Sequence, residues 1–358
     1  MMKKVVRIAG TGSYLPERVV PNEAFLNHRF FQPDGTPVTD DSETIIRKFS
    51  KITGIRERRW IEPQHVTSDL GFFAAKRALE SVGADPESVD IIICAQNFGD
   101  IAEGTNRGDL IPSVASRIKQ KLGIRNPFCV AWDINFGCPA WILGLIQARN
   151  WLLTEGGTRA LVIGVETLSR VSDPHDRDVM IFADGAGAVL LESGDESGSS
   201  GLMNHLTRTD TEIHNRLLKM GRSYGPDEPS ENLYVKMDGH RLYEYAIETV
   251  PESLAALLRK ANLQPSDIRM LLIHQANTKM LESITRRLFR QFGDETWPDD
   301  FLPLIVSWMG NNAVASVPVL LDRILRGEEP GYSLKKGDKI LLAAVGSGMS
   351  VSAMIAEL

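Results

Sequence analysis

The chain has 358 residues, 43% of them hydrophobic and 24% charged, enough for a large buried core. Its net charge of −6 argues against general nucleic-acid binding, and its three cysteines (Cys94, Cys129, Cys138) include no CxxC pair, which disfavours a disulfide framework and a structural zinc site. No apolar run of about 18 residues is present to span a membrane, so the expected compartment is the cytoplasm.

Short apolar runs at 5–10, 91–95, 129–134, 160–165 and 187–191 read as buried strands. Helical patterns at 68–82, 110–122 and 139–153 lie between them. The alternation implies an α/β fold with a largely parallel sheet covered by helices. The second half repeats the theme, with helices at 242–261, 278–292 and 316–325 and strands at 270–273 and 340–344. A helix, a polar turn with proline and an apolar strand occur at Val82–Ile93 around Pro86, and again at 261–273 around Pro265. That is a sign of internal duplication. The Ser- and Gly-rich stretch at 192–200 reads as a linker, giving halves at 1–198 and 199–358. Polar insertions at 28–42 and 97–107 read as surface loops, and Asp184-Gly185-Ala186-Gly187 as a tight turn.

The segment Asp133-Ile134-Asn135-Phe136-Gly137-Cys138-Pro139 runs from a strand into a helix. Pro139 suits the first helical position, which puts Cys138 at or beside the N-cap. The helix end favours a thiolate there, a strong nucleophile; the alternative is a small apolar core residue. His274, in Ile273-His274-Gln275-Ala276-Asn277, follows an apolar strand and precedes a helix. That is a mouth position in an open α/β sheet. Asn311 sits among small residues in Gly310-Asn311-Asn312-Ala313. The turn Gly346-Ser347-Gly348 follows the last strand and offers backbone amides to an oxyanion. Taken singly, each of the last three is more often structural: a strand-end histidine, a turn or cap asparagine and a plain glycine turn. Asn277 in particular reads either as a helix cap or as a residue orienting the loop.

In this order, with Gly10-Thr11-Gly12-Ser13-Tyr14-Leu15-Pro16 and Thr53-Gly54-Ile55-Arg56 upstream, the motifs resemble the thiolase-like condensing enzymes. They look most like 3-oxoacyl-acyl carrier protein synthase III. The resemblance implies a layered αβαβα body of two duplicated halves. It implies Cys138 as acyl carrier, with an oxyanion hole from Cys138, Ser347 and Gly348. His274 and Asn311 would donate to the enolate formed when a malonyl thioester loses carbon dioxide. No metal or redox cofactor is implied, and the form expected is a homodimer. Lys279, Arg286 and Arg290 recur within about 20° of one another on a helix, with Arg287 adjacent. By resemblance this basic stripe docks an acidic acyl carrier protein. Arg177 would lie near the nucleotide end of a coenzyme A, and Ile111 near an acyl-pocket cap offered by the partner subunit, or else in the core. Asp41-Ser42-Glu43-Thr44 replaces the Asp-Glu-Trp of members that take a CoA starter, which favours a carrier-protein-bound or unusual starter. The competing readings are a specialised-metabolism condensing enzyme or acyltransferase on this scaffold, and a non-catalytic carrier-protein partner.

Overall fold

A computed structural model of the chain describes residues 4–195, 201–228 and 231–358. In chain order it holds β1 (Lys4–Tyr14), β2 (Arg18–Pro21), α1 (Ser42–Thr53), β3 (Glu57–Trp60), α2 (Thr67–Glu80), β4 (Ile91–Ala95), α3 (Val114–Lys121), β5 (Val130–Ile134), α4 (Ala140–Thr154), β6 (Arg159–Thr167) and β7 (Asp184–Asp195). There follow β8 (Leu202–Thr209), β9 (Leu218–Gly221), β10 (Tyr234–Met237), α5 (Gly239–Lys260), β11 (Met270–Ile273), α6 (Thr278–Arg290), α7 (Val306–Met309), α8 (Ser316–Leu325), β12 (Lys339–Gly346) and β13 (Ser350–Glu357). The expected boundary between residues 198 and 199 lies outside the described residues.

Two sheets carry the duplication. The first has the order β1-β7-β6-β4-β5, the second β8-β13-β12-β11. In the first, β7 runs antiparallel to β1 and β6, while β6 and β4 are parallel. In the second, β13 runs antiparallel to β8 and β12, while β12 and β11 are parallel. Where the first sheet continues into β5, the second has the Leu271 N–H donating to the Phe301 carbonyl at 2.8 Å. The sheets are therefore mixed, not largely parallel. A three-residue turn joins β12 to β13, and so short a connection permits only antiparallel pairing.

Helices α4 and α8 contact both sheets and form the middle layer; α2 and α3 cover the first sheet, and α5 and α6 share a core with the second. The result is αβαβα. Its first two turns buried, α4 is mostly apolar, with Trp141, Ile142, Leu145 and Ile146 in the central core, and it exposes polar residues such as Gln147 and Asn150 only further along. The Asp184–Gly187 segment is not a turn but the start of β7. Ala186 and Ala188 face the outer core and Val189 and Leu191 the central one, so both faces are covered. The 28–42 insertion is more than a surface loop: Phe30 and Phe31 are buried, and the Phe31 N–H donates to the His175 carbonyl at 2.9 Å. The 97–107 insertion also turns inward, burying Ile101, while Asp100 accepts from the Ser68 N–H at 2.7 Å. Among the described residues no helix is long and apolar enough to cross a membrane.

Candidate active site

Cys138 lies one residue before Pro139, the N-cap of α4. Three features of its own segment hold it there. Asp133 in β5 accepts from the Val114 and Ala115 N–H groups, both at 2.8 Å, and so caps α3. Asn97, just past β4, accepts from the Gly137 N–H through Oδ1 at 3.0 Å. Gly137 has φ +64°, and a Cβ there would fall 2.8 Å from the Ser347 backbone nitrogen. The nucleophile loop and the turn after β12 therefore meet in contact, which a larger residue at 137 would prevent.

Cys138, His274, Asn311, Gly346 and Ser347 line one cavity of about 350 Å³, whose other walls are mostly apolar. The structure thus assembles residues from both halves. Gly348 is not part of the lining; it sits past Ser347, against Ser350. His274, 3% exposed, follows β11 directly, and its Nδ1 is 2.8 Å from Ser316 Oγ at the start of α8. The Gln275 N–H also donates to that hydroxyl, at 3.2 Å. Burial lowers the imidazole to about 4, so it is neutral at pH 7. Asn311 is pinned by its backbone to residues 181 and 183, and its Oδ1 accepts from the Ala313 N–H at 2.9 Å. Its Nδ2 has no partner among the described residues and is left to face the cavity.

The thiol behaves differently from the sequence-based expectation. Burial, with the Glu166 carboxyl nearby, pushes Cys138 up to about 12. The desolvating apolar surroundings oppose the helix end. Glu166, buried near the end of β6, is itself raised to about 8 by burial, and its Oε2 accepts from Asn97 Nδ2 at 2.6 Å. Asn97 and Glu166 are the residues that sequence reasoning missed. Their signals were an asparagine two residues past an apolar strand and a lone acid inside an apolar run.

A second cavity, of about 730 Å³, adjoins the first and shares Met237, Leu242, Ala276, Met280 and Asn311 with it. Arg177, Lys279 and Asn277 line it. Asn277 is the N-cap of α6, accepting from the Met280 N–H at 3.2 Å. Lys279, Arg286, Arg287 and Arg290 are all exposed on α6, and Arg290 pairs with Glu295. Thr44 lies in the first turn of α1, bonded to its N-cap Asp41. Ile111 is 87% exposed and lines neither cavity, which excludes the core alternative.

The sequence pattern of 3-oxoacyl-[acyl-carrier-protein (ACP)] synthase III matches residues 132–211, and that of the C-terminal part of the same synthase matches residues 258–358. The chain belongs to the 3-oxoacyl-acyl carrier protein synthase III family. Solved structures of similar fold agree. The synthase III of Pseudomonas aeruginosa PAO1 is 27% identical with a TM-score of 0.81, covering 99% of this chain and 98% of that one. The synthase III of Thermus thermophilus is 27% identical with a TM-score of 0.81, covering 98% and 99%. The priming β-ketosynthase of the R1128 polyketide pathway is 26% identical with a TM-score of 0.82, covering 100% and 97%. Membership makes this a thiolase-like condensing enzyme.

Proposed function

We propose that the enzyme carries an acyl group on Cys138 and condenses it with a malonyl thioester, giving a 3-oxoacyl thioester. The observation that carries this reading is the meeting of Cys138, His274 and Asn311 in one cavity that adjoins a second. In the first step Cys138 Sγ attacks the thioester carbonyl. The Sγ–C bond forms, the C–S bond to the donor breaks, and the proton from Cys138 ends on the departing thiol. The passing oxyanion meets backbone amides of Cys138 and the turn at Ser347.

In the second step the malonyl thioester loses carbon dioxide, and its electron pair moves onto the α-carbon and thioester oxygen. Asn311 Nδ2 donates to that oxygen. When Ser316 gives its hydroxyl hydrogen to His274 Nδ1, the neutral ring carries its N–H on Nε2 and donates as well. The carbanion then attacks the acyl-cysteine, a C–C bond forms, and Cys138 leaves as thiolate. No step changes oxidation state in a way that needs a redox cofactor, and the enolate is stabilised by hydrogen bonds in place of a metal.

The names of the similar synthases point to an acyl carrier protein as the donor of the malonyl group. The exposed α6 cations, of which Lys279 lines the second cavity, suit its acidic surface. A second copy of the chain is the fitting cover for the free edge of β5, where Phe128 is 85% exposed. A second reading, the same chemistry in a specialised pathway or acyl transfer to an oxygen or nitrogen nucleophile, is favoured by the inward-packed 28–42 insertion.

Intact-mass measurement with acyl-CoA and acyl-carrier-protein thioesters tests the proposal. A mass gain lost in Cys138→Ala is expected. Malonyl-dependent carbon dioxide release should persist in Cys138→Ala and fall roughly 10²–10³-fold in His274→Ala or Asn311→Ala. Absence of acylation from every donor would sink the reading. Acylation without any malonyl decarboxylation would select the acyltransferase alternative.

A further inference from the structure

The neighbouring strands β6, β4 and β5 end beside the nucleophile loop, and one chain of hydrogen bonds ties their ends together. Resting on the reading of Cys138 as nucleophile, we propose that Glu166 and Asn97 are a positioning pair: the Glu166 carboxyl sets which way the Asn97 amide faces, and the amide oxygen holds the loop that presents Cys138 to a thioester. Glu166 lies in β6 and is buried. Its Oε2 accepts from Asn97 Nδ2 at 2.6 Å, and its Oε1 from the Asn97 N–H at 3.4 Å. Asn97 then grips the loop after β5 at two points. Its Oδ1 accepts from the Gly137 N–H at 3.0 Å, and its backbone carbonyl accepts from Asn135 Nδ2 at 3.2 Å.

Orientation decides whether that grip exists. A side-chain amide has an acceptor end and a donor end of nearly the same shape. Turned over, Asn97 would set its NH₂ against the Gly137 N–H, donor against donor. A carboxyl offers Nδ2 an acceptor oxygen whether or not it carries its proton, so Glu166 selects the orientation seen. Gly137, at φ +64°, immediately precedes Cys138 and stands against Ser347. Holding its N–H therefore sets the spacing between the Cys138 and Ser347 amides, the two groups that meet the oxyanion in the proposed reaction.

Charge does not account for an acid at this place. The Glu166 carboxylate disfavours the neighbouring thiolate. A residue kept for its charge would be basic here, whereas one kept for its acceptor oxygens can be an acid. The two roles predict opposite signs when Glu166 is removed. Loss of the charge alone would speed reactions of the thiol, and loss of the amide's orientation slows acylation.

The test compares two reactions of Cys138 at pH 7. One is acylation by a thioester that acylates the parent protein, followed by intact mass. The other is alkylation by iodoacetamide, which needs no oxyanion hole. Glu166→Leu should slow saturated acylation at least tenfold with KM within about twofold, since a displacement of about 1 Å can cost about 10²-fold. Alkylation in the same variant should be no slower than in the parent. Glu166→Gln keeps an acceptor oxygen for Asn97 Nδ2 and should regain most of the loss. Asn97→Leu should lose acylation as Glu166→Leu does. The mirrored pair, Asn97→Asp with Glu166→Gln, restores an acceptor for the Gly137 N–H and a donor–acceptor contact between positions 97 and 166. It should acylate at least threefold faster than Asn97→Leu. Acylation in Glu166→Leu as fast as in the parent, or faster, would leave Glu166 a charge effect alone and overturn the inference. Equal losses in the Leu and Gln variants, a mirrored pair no faster than Asn97→Leu, or acylation and alkylation falling together would overturn it as well, while leaving Cys138 as nucleophile. A parent protein acylated by no donor would remove both.

Discussion

At the scale of single residues, burial governs the reactivity of Cys138 and the Glu166 charge adds to it. The thiol is pushed up to about 12 by burial first and Glu166 second, and Glu166 itself holds its proton to about 8. Alkylation of Cys138 by iodoacetamide should therefore rise about tenfold per pH unit from 7 to 10, without a plateau. The sign of the Glu166 effect follows from its charge. Above pH 8 the carboxylate disfavours the thiolate, and below it the neutral acid does not. Glu166→Gln should accelerate alkylation several-fold at pH 9 and leave the rate at pH 7 unchanged, and equal ratios at both pH values would rule this out. The same acid weighs on stability. An unfolded glutamate ionises near 4.5 and the folded one near 8, so its burial costs more as pH rises between those values. Glu166→Gln should thus raise the melting temperature more at pH 8 than at pH 5 in calorimetry.

At the scale of elements, α6 does two jobs. Its first turn is capped by Asn277 Oδ1, and its exposed face carries Lys279, Arg286 and Arg287. Asn277→Ala should cost about 1 kcal/mol in denaturant unfolding, the usual worth of such a cap, with no loss of the pH profile of alkylation at Cys138. Arg286→Glu with Arg287→Glu should raise KM for a carrier-protein substrate at least tenfold at low salt, with kcat for a CoA thioester unchanged. An unaltered KM would move docking to another surface. The elements themselves were largely legible: β4, β11 and α8 match their expected bounds within two residues because their apolar runs end at polar turns. β9 and β10 were not, since Leu218-Lys219-Met220-Gly221 alternates too briefly to signal a strand and is paired only by its partner.

At the scale of the whole molecule, the two sheets enclose α4 and α8, so the N-termini of the two middle-layer helices bring Cys138 and Ser316 toward the same cavity region. The free edge of β5 and the exposed Phe128 and Val130 argue for a second copy. Sedimentation velocity should find a dimer, and Phe128→Asp with Val130→Asp should shift it to monomer; a monomeric parent protein would contradict the assignment.

The sequence by itself determined the alternation of strands and helices, the repeat around Pro86 and Pro265, the positions of Cys138 and His274 at helix or strand ends and that of Asn311 among small residues, while the αβαβα layering followed from the family resemblance. Those features are local: periodicity, turn chemistry and a proline after a cysteine are written in neighbouring residues. Tertiary structure alone decided the surroundings of the thiol. Glu166 is 28 residues from Cys138 in sequence and Asn97 is 41, yet one shifts its proton affinity and the other holds its loop. The helix end expected to favour a thiolate is present, but desolvation by chains distant in sequence outweighs it, because burial is a property of packing and not of spacing. The same packing turned the 28–42 and 97–107 loops inward and gave the cavity at Cys138 its size.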